Sequence, residues 1–395
     1  MKENISVVQS VNDLAPDSGG PSRTVTSLYK GLIDLGVNTK LITNSNQKSN
    51  LNNNLSLKNL ILYRSDISFF APLKEKNLNL LLGKIFKEMK NNLIFHDNGI
   101  WLPSNNTICN FAIKNKVKLL ISPHGMLEPW SLKYKKLKKS LAWNTYQKRN
   151  LRSADIIHAC SEMEAENILK LNLKKPIAII PNGIDQQIKN YIVNQVFCNG
   201  EKKDNYFFKN LLYIGRIHPK KGLINLLLAT KDLLIRENWR LTIAGFPELN
   251  HDIILNDFVK KNNLEDYVKI LDPVSGKDLF DLYQSATYFI LPSFSENFGL
   301  VVAEALNFGI PVIATRGTPW EILEKTNSGW WVQPTVEEIK QAINRAIFLK
   351  ESEYLIMSEN AKKLSENYNW EDISKRFLNL YIWMLGEGTK PDFVI

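Results

Sequence analysis

The stretch YFILPSFSENFGLVVAEAL, residues 288–306, joins a predicted buried strand to an apolar run that carries two acids. Its first six residues, YFILPS, form a short apolar run of the kind that is typical of a buried strand. Glu296 and Glu304 then stand eight positions apart among apolar neighbours. A buried carboxylate is costly unless a partner satisfies it, so these two side chains need polar partners.

We expect a helix to begin at Glu296, with Ser293 or Ser295 as its cap and the N–H groups of Asn297 to Leu300 in its first turn. At roughly 3.6 residues per turn, a spacing of eight leaves the two glutamates about 80° apart on that helix. Both would then face one elongated ligand. The alternative, a capping acid and a surface acid, is disfavoured because the surrounding residues are too apolar for an exposed helix.

Short apolar runs alternate with helical patterns along the chain, and this alternation predicts parallel sheets covered by helices on both faces. The pattern occurs twice, so we predict an α/β protein with two doubly wound, Rossmann-like domains. In such sheets, ligands bind beyond the carboxyl ends of the strands. The predicted strands are 5–11, 38–43, 92–97, 118–124, 155–161 and 177–183 in the first half, and 211–217, 240–245, 268–271, 288–293, 311–315 and 329–332 in the second.

The domain boundary is expected in residues 186–209, which end in a polar segment followed by a new strand. We therefore predict an N-terminal domain over 1–190, a C-terminal domain over 191–370 and a final helix over 371–395. The asparagine-rich residues 43–56 are expected to form a surface loop.

The bulk composition fits a cytoplasmic protein of two domains. The chain has 395 residues, a net charge of +10 and a pI near 9.2, which together favour an anionic partner. Its three cysteines, Cys109, Cys160 and Cys198, are too few and scattered for a disulfide framework. We find neither a secretory signal nor an uncharged apolar run of the roughly 18 residues that a membrane span needs.

Two loops that follow the first strand of each half suit an anion. Gly19 and Gly20 precede Pro21 at the start of a predicted helix, whose N–H groups attract negative charge. Arg216 and Lys221 flank a turn after the strand 211–217, and they suit a diphosphate. Taken alone, the first loop is equally well a plain tight turn, and the second is better explained as a solvated basic loop.

Five motifs in order resemble the retaining glycosyltransferases of family 4, which have the GT-B fold of two Rossmann-like domains facing a central cleft. Glu296 and Glu304 with NFGL between them match its E-x7-E signature. The other matches are GGPSRTVTSLYKGL, GRIHPKKG (215–222), PNGID (181–185) and, in a bacterial polysaccharide or lipopolysaccharide branch, HDNGIW with SPHGMLEPW. They extend from residue 15 to about 385.

The resemblance implies a role for each matching residue in the C-terminal half. Glu304 would accept hydrogen bonds from the ribose of a nucleotide, and Arg216 and Lys221 would hold the diphosphate. Glu296 would contact the sugar ring. The N–H groups beside it that share this role belong to Asn297, Phe298, Gly299 and Leu300. A hydroxyl-rich ligand would thus satisfy both glutamates.

The remaining assignments concern the base and the N-terminal half. Val274, in the weakly matching LDPVSGKDLF, would lie against the base. Gly19 and Gly20 would approach the diphosphate, and His124 would contact the donor sugar near its 6-hydroxyl and the reacting centre. For His96 a place on the acceptor side and a purely structural role are equally compatible with the sequence, whereas His158, inside a strand, is expected to be structural.

The reaction implied by the resemblance is the transfer of a hexose-type sugar from a UDP- or GDP-sugar to a lipid-linked or saccharide acceptor in surface polysaccharide synthesis. Negative charge grows on the leaving diphosphate, and preorganised cations stabilise it. No Asp-x-Asp motif for Mg²⁺ occurs in the chain. We therefore expect a metal-independent enzyme without a cofactor, in which Arg216 and Lys221 replace the metal and the leaving phosphate takes the acceptor's proton.

Residues 130–152 contain eight lysines and arginines, no acid, and interleaved aromatic and leucine residues, a composition that suits an anionic membrane surface. We favour this interpretation, on the inner face of the cytoplasmic membrane, over a basic solvated helix and over nucleic-acid binding. Two other functions remain as alternatives: a nicotinamide-dependent dehydrogenase, which lacks its dinucleotide fingerprint here, and a non-catalytic basic protein that binds membrane or nucleic acid.

Overall fold

The chain divides into two compact units in the computed structural model. The structure describes residues 5–15, 19–44, 59–66, 75–89, 92–184, 188, 191 and 209–395. The first unit comprises residues 1–183 with 370–395, and the second comprises 184–369. The divisions predicted from the sequence lie after residues 190 and 370. Most of the asparagine-rich segment and most of the predicted boundary stretch lie outside the described residues.

A seven-stranded parallel sheet forms the centre of the first unit, in the order β3-β2-β1-β4-β5-β6-β7. The strand order reverses between β1 and β4, and every residue of these two central strands is buried. This is the doubly wound arrangement, whose ligand sites lie at the carboxyl edge. The strands are β1 (Ser6–Val11), β2 (Asn38–Asn44), β3 (Leu60–Tyr63), β4 (Leu93–Asn98), β5 (Lys118–Ser122), β6 (Ile156–Ala159) and β7 (Ile177–Ile179).

The helices of the first unit connect these strands, and several begin with proline. Pro21, Pro103 and Pro129 stand in the first turns of their helices, where the missing N–H has no partner to lose. The helices are α1 (Gly20–Asp34), α2 (Lys76–Glu88), α3 (Pro103–Asn115), α4 (Pro129–Lys133), α5 (Lys136–Ala142), a π-helical turn (Trp143–Gln147), α6 (Lys148–Ser153) and α7 (Glu162–Leu169).

The second unit has a six-stranded parallel sheet in the order β10-β9-β8-β11-β12-β13. The order reverses between β8 and β11, so these strands are central. The strands are β8 (Asn210–Ile214), β9 (Arg240–Ala244), β10 (Val268–Leu271), β11 (Tyr288–Leu291), β12 (Val312–Thr315) and β13 (Gly329–Val332). The helices are α8 (Leu223–Glu237), α9 (His251–Lys261), α10 (Gly276–Gln284), α11 (Leu300–Asn307), α12 (Ile322–Lys325), α13 (Val336–Ile347) and α14 (Glu351–Ser365), with 3₁₀ turns at Pro219–Lys221 and Glu366–Tyr368.

The last helix, α15 (Trp370–Met384), packs in the core of the first unit although it follows the second unit in sequence. Its buried face includes Phe377 and Tyr381, in one apolar cluster with residues of β1, α1 and β4. Helix α1 approaches it closely at Gly31, where an added Cβ would lie only 2.0 Å from the Ser374 hydroxyl oxygen.

The predicted fold class is confirmed, and all twelve predicted strands are present, with ends that shift by a few residues. The strand that the sequence analysis missed is β3. It is short and partly exposed, and it follows the asparagine-rich segment. Its pairing with β2 at the sheet edge, rather than its own pattern, makes it a strand.

Candidate functional site

The carboxyl ends of the neighbouring strands β8 and β11 bring a lysine and a glutamate together in the second unit. The Lys221 ammonium donates a hydrogen bond to Glu296 Oε1, and the two side chains are only 11% and 12% exposed. The Ser293 hydroxyl donates to the same oxygen at 2.8 Å. Each buried charge is therefore paired, which such groups need in order to remain ionised.

The pKa of Glu296 reflects two opposing effects. Burial acts to raise it, but the attraction of Lys221 and Lys220 and the hydrogen bonds from Lys221 and Ser293 together outweigh burial and hold it below its ordinary value. The side chain is thus a carboxylate at neutral pH. The site presents a positive and a negative charge side by side in a largely dry environment.

Two glycines allow the backbone to form this pair. The segment from Pro292 to Glu296 passes so close to Gly222 and Gly317 that added Cβ atoms would lie 2.2 Å from the Pro292 oxygen and 2.5 Å from the Ser293 oxygen, respectively. Hydrogen bonds fix the segment on both sides. The Phe294 N–H donates to the Lys220 carbonyl at 2.9 Å, and the Glu296 N–H donates to the Gly317 carbonyl at 2.7 Å.

The predicted start of the helix was wrong. Helix α11 begins at Leu300, after Gly299 in the left-handed conformation with φ of +78°, and no side chain caps it. Ser293 donates to Glu296 instead of capping. Glu296 therefore lies in the loop before the helix, and the angle of about 80° between two glutamates on one helix does not apply.

Glu304 is held by a residue that the sequence analysis did not identify. It is 1% exposed, and its Oε2 accepts a hydrogen bond from the hydroxyl of buried Tyr283 at 2.8 Å. Tyr283 belongs to α10, 21 residues earlier in the chain, so no local pattern links the pair. The expectation that the glutamates depend on a ligand for satisfaction was wrong, because Tyr283, Lys221 and Ser293 supply polar contacts.

The described contacts of Arg216 and Val274 do not include the buried pair of Lys221 and Glu296. Arg216 is 54% exposed and forms an ion pair with Glu248 at 2.9 Å, while its carbonyl accepts from the Tyr213 hydroxyl. Glu248 is a second partner that the sequence analysis did not consider. Val274 is half-buried and follows β10, the edge strand, whereas Lys221 and Glu296 follow the central strands.

In the first unit, the predicted glycine loop leads directly into α1. Gly19 caps the helix with φ of +85°, and an added Cβ there would meet nothing within 4 Å. The Ser22 hydroxyl donates to the Gly19 carbonyl at 2.8 Å. Gly20 is the first, exposed residue of α1. Residues 16–18 of this loop lie outside the described residues.

His124 follows β5 in an unusual backbone conformation. Its φ is +50°, in the left-handed region that residues with a side chain rarely occupy, and its ring is half-buried. The ring nitrogen Nε2 lies 2.9 Å from Asn98 Oδ1. Burial, with a smaller contribution from His158, lowers the pKa of His124 to about 3, so the ring is neutral.

A chain of hydrogen bonds connects two other histidines. His158 Nε2 contacts the Ile180 carbonyl, which only accepts, so this nitrogen carries the proton. Ser122 must then donate to His158 Nδ1 and accept from His96 Nε2, which leaves His96 Nδ1 to accept from the Tyr381 hydroxyl. His96 is 1% exposed. Both histidines are therefore structural, and they link the sheet to α15.

The basic segment divides into an exposed part and a packed part. Helices α4 and α5 contain no buried residue, and Trp130, Tyr134, Leu137 and Leu141 are 38%, 54%, 88% and 68% exposed. Trp143 and Tyr146, which the sequence analysis grouped with them, pack in or against the core instead. The exposed aromatic and leucine side chains thus lie in residues 130–141, which with their lysines we call the exposed basic surface. Arg149 and Arg152, beyond this surface, are also exposed.

The described ranges contain neither a candidate metal site nor a candidate membrane span. Within them, no group of three or more His, Cys, Asp or Glu side chains is placed to hold a metal ion. No helix there is long and apolar enough to span a membrane. The prediction of a metal-independent reaction remains a prediction.

Two family models match successive parts of the chain. Residues 18–188 match "Glycosyltransferase Family 4", and residues 199–364 match "Glycosyl transferases group 1". The two matches divide between the halves of the chain. Together they include every predicted site residue.

Individual proteins that are similar to this chain are also named as glycosyltransferases. An uncharacterized glycosyltransferase from Methanocaldococcus jannaschii is 31% identical over 44% of this chain and 44% of its own, and O-antigen chain mannosyltransferase B from Escherichia coli is 28% identical over 43% and 45%. The matches span less than half the length of these relatives. The crystal structure of Anabaena HepE with UDP and glucose has a TM-score of 0.72 at 15% identity, covering 95% of this chain and 99% of that one, which shows the shared fold.

Proposed function

We propose that this chain, which belongs to the group 1 glycosyltransferases of the GT-B type, transfers a hexose-type sugar from a UDP- or GDP-sugar to a saccharide or lipid-linked acceptor. The observation that carries the proposal is the buried pair of Lys221 and Glu296 at the carboxyl ends of two central strands. Doubly wound sheets bind ligands at this position. The bound UDP and glucose of the HepE structure support a sugar nucleotide as the ligand class.

A ligand contact is proposed for each charged site residue of the second unit. The Lys221 ammonium has three donors, of which Glu296 takes one, so it can also donate to a phosphate oxygen. Glu296, with the N–H groups of Asn297 to Leu300, would contact the sugar hydroxyls. Glu304, whose Oε2 accepts from Tyr283, would also accept from the ribose. Arg216, whose pair with Glu248 is exposed and therefore weak, would exchange that partner for the diphosphate.

The proposed reaction retains the configuration of the sugar. The acceptor hydroxyl oxygen forms a bond to the anomeric carbon on the face from which the diphosphate leaves, while the bond between that carbon and the phosphate oxygen breaks. The acceptor's proton passes to the leaving phosphate oxygen. Lys221 and Arg216 would stabilise the charge that develops on the diphosphate, and stabilisation of this kind usually contributes more to the rate than any other single effect. No metal enters this scheme.

We further propose an anionic membrane surface as a partner of the exposed basic surface, residues 130–141. Its leucines and aromatic side chains would enter the headgroup region, and Lys133, Lys135, Lys136 and Lys138 would meet anionic lipids. A lipid-linked acceptor would be met at such a surface. The similarity to an O-antigen mannosyltransferase supports a role in surface polysaccharide synthesis.

Vesicle sedimentation tests the membrane proposal. The double variant Leu137→Glu, Leu141→Glu should lose most binding to vesicles of phosphatidylglycerol, and binding of the native protein should fall as salt rises. Leu249→Glu is the control, because Leu249 is 70% exposed in the second unit. Equal binding of both variants, or equal binding to vesicles of phosphatidylcholine, would reject a specific anionic surface.

A thermal-shift panel tests the transferase proposal. UDP, GDP, ADP, their glucose, galactose, N-acetylglucosamine and mannose derivatives, and NAD are compared with and without EDTA. One nucleoside diphosphate should raise the melting temperature, without an effect of EDTA and less in Glu304→Ala. Stabilisation by NAD alone would favour the dehydrogenase, and no stabilisation at millimolar ligand would favour a non-catalytic basic protein. The family matches support neither alternative.

A further inference from the structure

Asn98 determines which nitrogen of His124 carries a proton. The Asn98 side-chain nitrogen Nδ2 donates to the His96 carbonyl at 3.2 Å, and a carbonyl can only accept. The Asn98 oxygen must therefore face His124 Nε2, at 2.9 Å. An amide oxygen also only accepts, so Nε2 carries the proton. In a neutral ring, this leaves Nδ1 with a lone pair and makes it a hydrogen-bond acceptor.

Glu164 fixes the backbone of the same loop from another element. One carboxylate oxygen accepts from the Gly125 N–H at 2.6 Å, and the other accepts from the Cys160 N–H at 2.8 Å. Glu164 is 3% exposed, at the start of α7. It thereby ties the loop after β5 to the end of β6. A tie of this kind supports the left-handed conformation of His124, which costs about 1–3 kcal/mol in general.

We propose that Asn98 and Glu164 are positioning residues, which hold His124 as the Nε2–H tautomer so that Nδ1 accepts a hydrogen bond from a hydroxyl of the donor sugar. This inference rests on the proposed function, since it assumes that His124 meets the sugar. It restricts the sugar at that position to a hydrogen-bond donor. A carboxylate there, as in a uronic acid, would place one acceptor against another.

The other ionisable groups near the ring leave this assignment intact. His158 of β6 lies with its ring centre 6.5 Å from that of His124, and its Nδ1 is an acceptor from Ser122. His96 of β4 stands behind it and is also neutral. Glu164 contacts the next residue's backbone rather than the ring. Asn98 is thus the polar side chain that sets the His124 tautomer among the described contacts.

Long-range ¹H–¹⁵N spectra of the full chain, labelled at histidine nitrogens, test the tautomer without any substrate. His124 is assigned by the signals that disappear in His124→Asn. We expect a neutral ring with the proton on Nε2 from pH 5 to 8. A proton on Nδ1, or a ring that becomes positively charged within this range, would overturn the proposal whether or not the protein transfers sugar.

The variant Asn98→Asp tests the role of Asn98. Its carboxylate would favour the charged ring and raise the pKa of His124 by about 1–3 units. With the donor identified by the thermal-shift panel, kcat/KM of this variant should fall between pH 7 and pH 5, by up to about tenfold for the largest of these shifts, while the native profile stays flat in that range. Asn115→Asp, which adds the same charge at the end of α3, is the control.

The variant Glu164→Gln supplies a second measurement if Asn98→Asp does not fold. It should lower kcat while the affinity for the nucleoside diphosphate is unchanged. Unchanged kcat in Glu164→Gln, or an unchanged pH profile and His124 titration in Asn98→Asp, would contradict the positioning role. A native protein that binds no nucleotide would instead contradict the proposed function.

Discussion

The two units place opposite kinds of polar groups at the carboxyl ends of their central strands. In the first unit, three neighbouring histidines are neutral, because His96, His158 and His124 all have lowered pKa values, and hydrogen bonds through the Ser122 hydroxyl join the first two. In the second unit, Lys221 and Glu296 form an ion pair. A neutral site suits the hydroxyls of a sugar, and a charged one suits a diphosphate. The same sheet topology therefore carries different polar groups in the two units.

The largest expected effect comes from removing the positive charge of Lys221 in the second unit. Lys221→Met keeps the length of the side chain but leaves the Glu296 carboxylate buried without its cation, which should destabilise the protein by about 3–5 kcal/mol. Urea unfolding measures this loss. Lys277→Met removes a cation from the exposed pair with Asp281 and should change stability by less than about 1 kcal/mol.

A double variant separates stability from function at this pair. Lys221→Met with Glu296→Leu removes both charges, so most of the lost stability should return. Sugar transfer should not return. Recovery of activity in the double variant would show that the pair acts only as a structural contact and would remove the contrast between the units.

Acid should destabilise the two units to different extents. Burial, together with the neighbouring His158 and His124, lowers the pKa of His96, and burial lowers that of His158 to about 4. Below pH 6.5 the unfolded chain therefore takes up protons that these two histidines exclude in the folded state, which lowers stability by about 1.4 kcal/mol per pH unit for each histidine. The raised pKa values of Asp97 and Glu164 in the same unit offset part of this loss. Glu296, whose pKa is lowered, stabilises the second unit fully above pH 4.5 and loses this effect only below it.

Hydrogen–deuterium exchange followed by mass spectrometry resolves this difference. Between pH 6.5 and 5, after correction for the intrinsic exchange rate, protection should fall more in β4, β5 and β6 than in β8 and β11, because the pKa values of His218 and His251 in the second unit are lowered less. Equal loss in both units would contradict the assignment of neutral histidines to the first unit.

The next largest loss of stability is expected at the close backbone contact between Gly317 and Ser293, beside the ion pair. Gly317→Ala would push its Cβ against the Ser293 oxygen, and we expect a loss of about 1–3 kcal/mol together with weaker nucleotide binding. Gly83→Ala is a matched control, since its Cβ would meet nothing within 4 Å in a helix, where alanine is favoured. Thermal unfolding of both variants provides the comparison, and a harmless Gly317→Ala would mean that the segment before Glu296 adjusts freely.

The smallest effect concerns the hydrogen bonds that link Tyr381, His96, Ser122 and His158 in the first unit. Tyr381→Phe removes the hydroxyl that donates to His96 and should cost about 1 kcal/mol without changing sugar transfer. Tyr134→Phe, at an exposed position, should be neutral. A large loss of activity in Tyr381→Phe, measured at a temperature where the variant is fully folded, would assign the histidine chain a part in the reaction.

Local sequence patterns predicted the strands, because buried parallel strands are continuous apolar runs. The same patterns placed the motifs in the loops that follow these strands. The same reasoning failed where contacts between distant residues decide the structure. The hydrogen bond from Glu296 to Gly317 and the left-handed Gly299 delay the helix, and a pattern of spacing cannot show either. Tyr283, Glu248 and Asn98 contact their partners across 21 or more residues, so only the fold brings them together.

Calorimetric titration of the native protein and Lys221→Met with a nucleoside and with its diphosphate tests the charged site most directly. The base is the one selected by the thermal-shift panel, and Lys277→Met again serves as the control. We predict that Lys221→Met weakens diphosphate binding about 10- to 100-fold and leaves nucleoside binding unchanged, because Lys221 acts on the phosphates. An equal loss for both ligands, or no loss for the diphosphate, would contradict the assignment of this ion pair to diphosphate recognition.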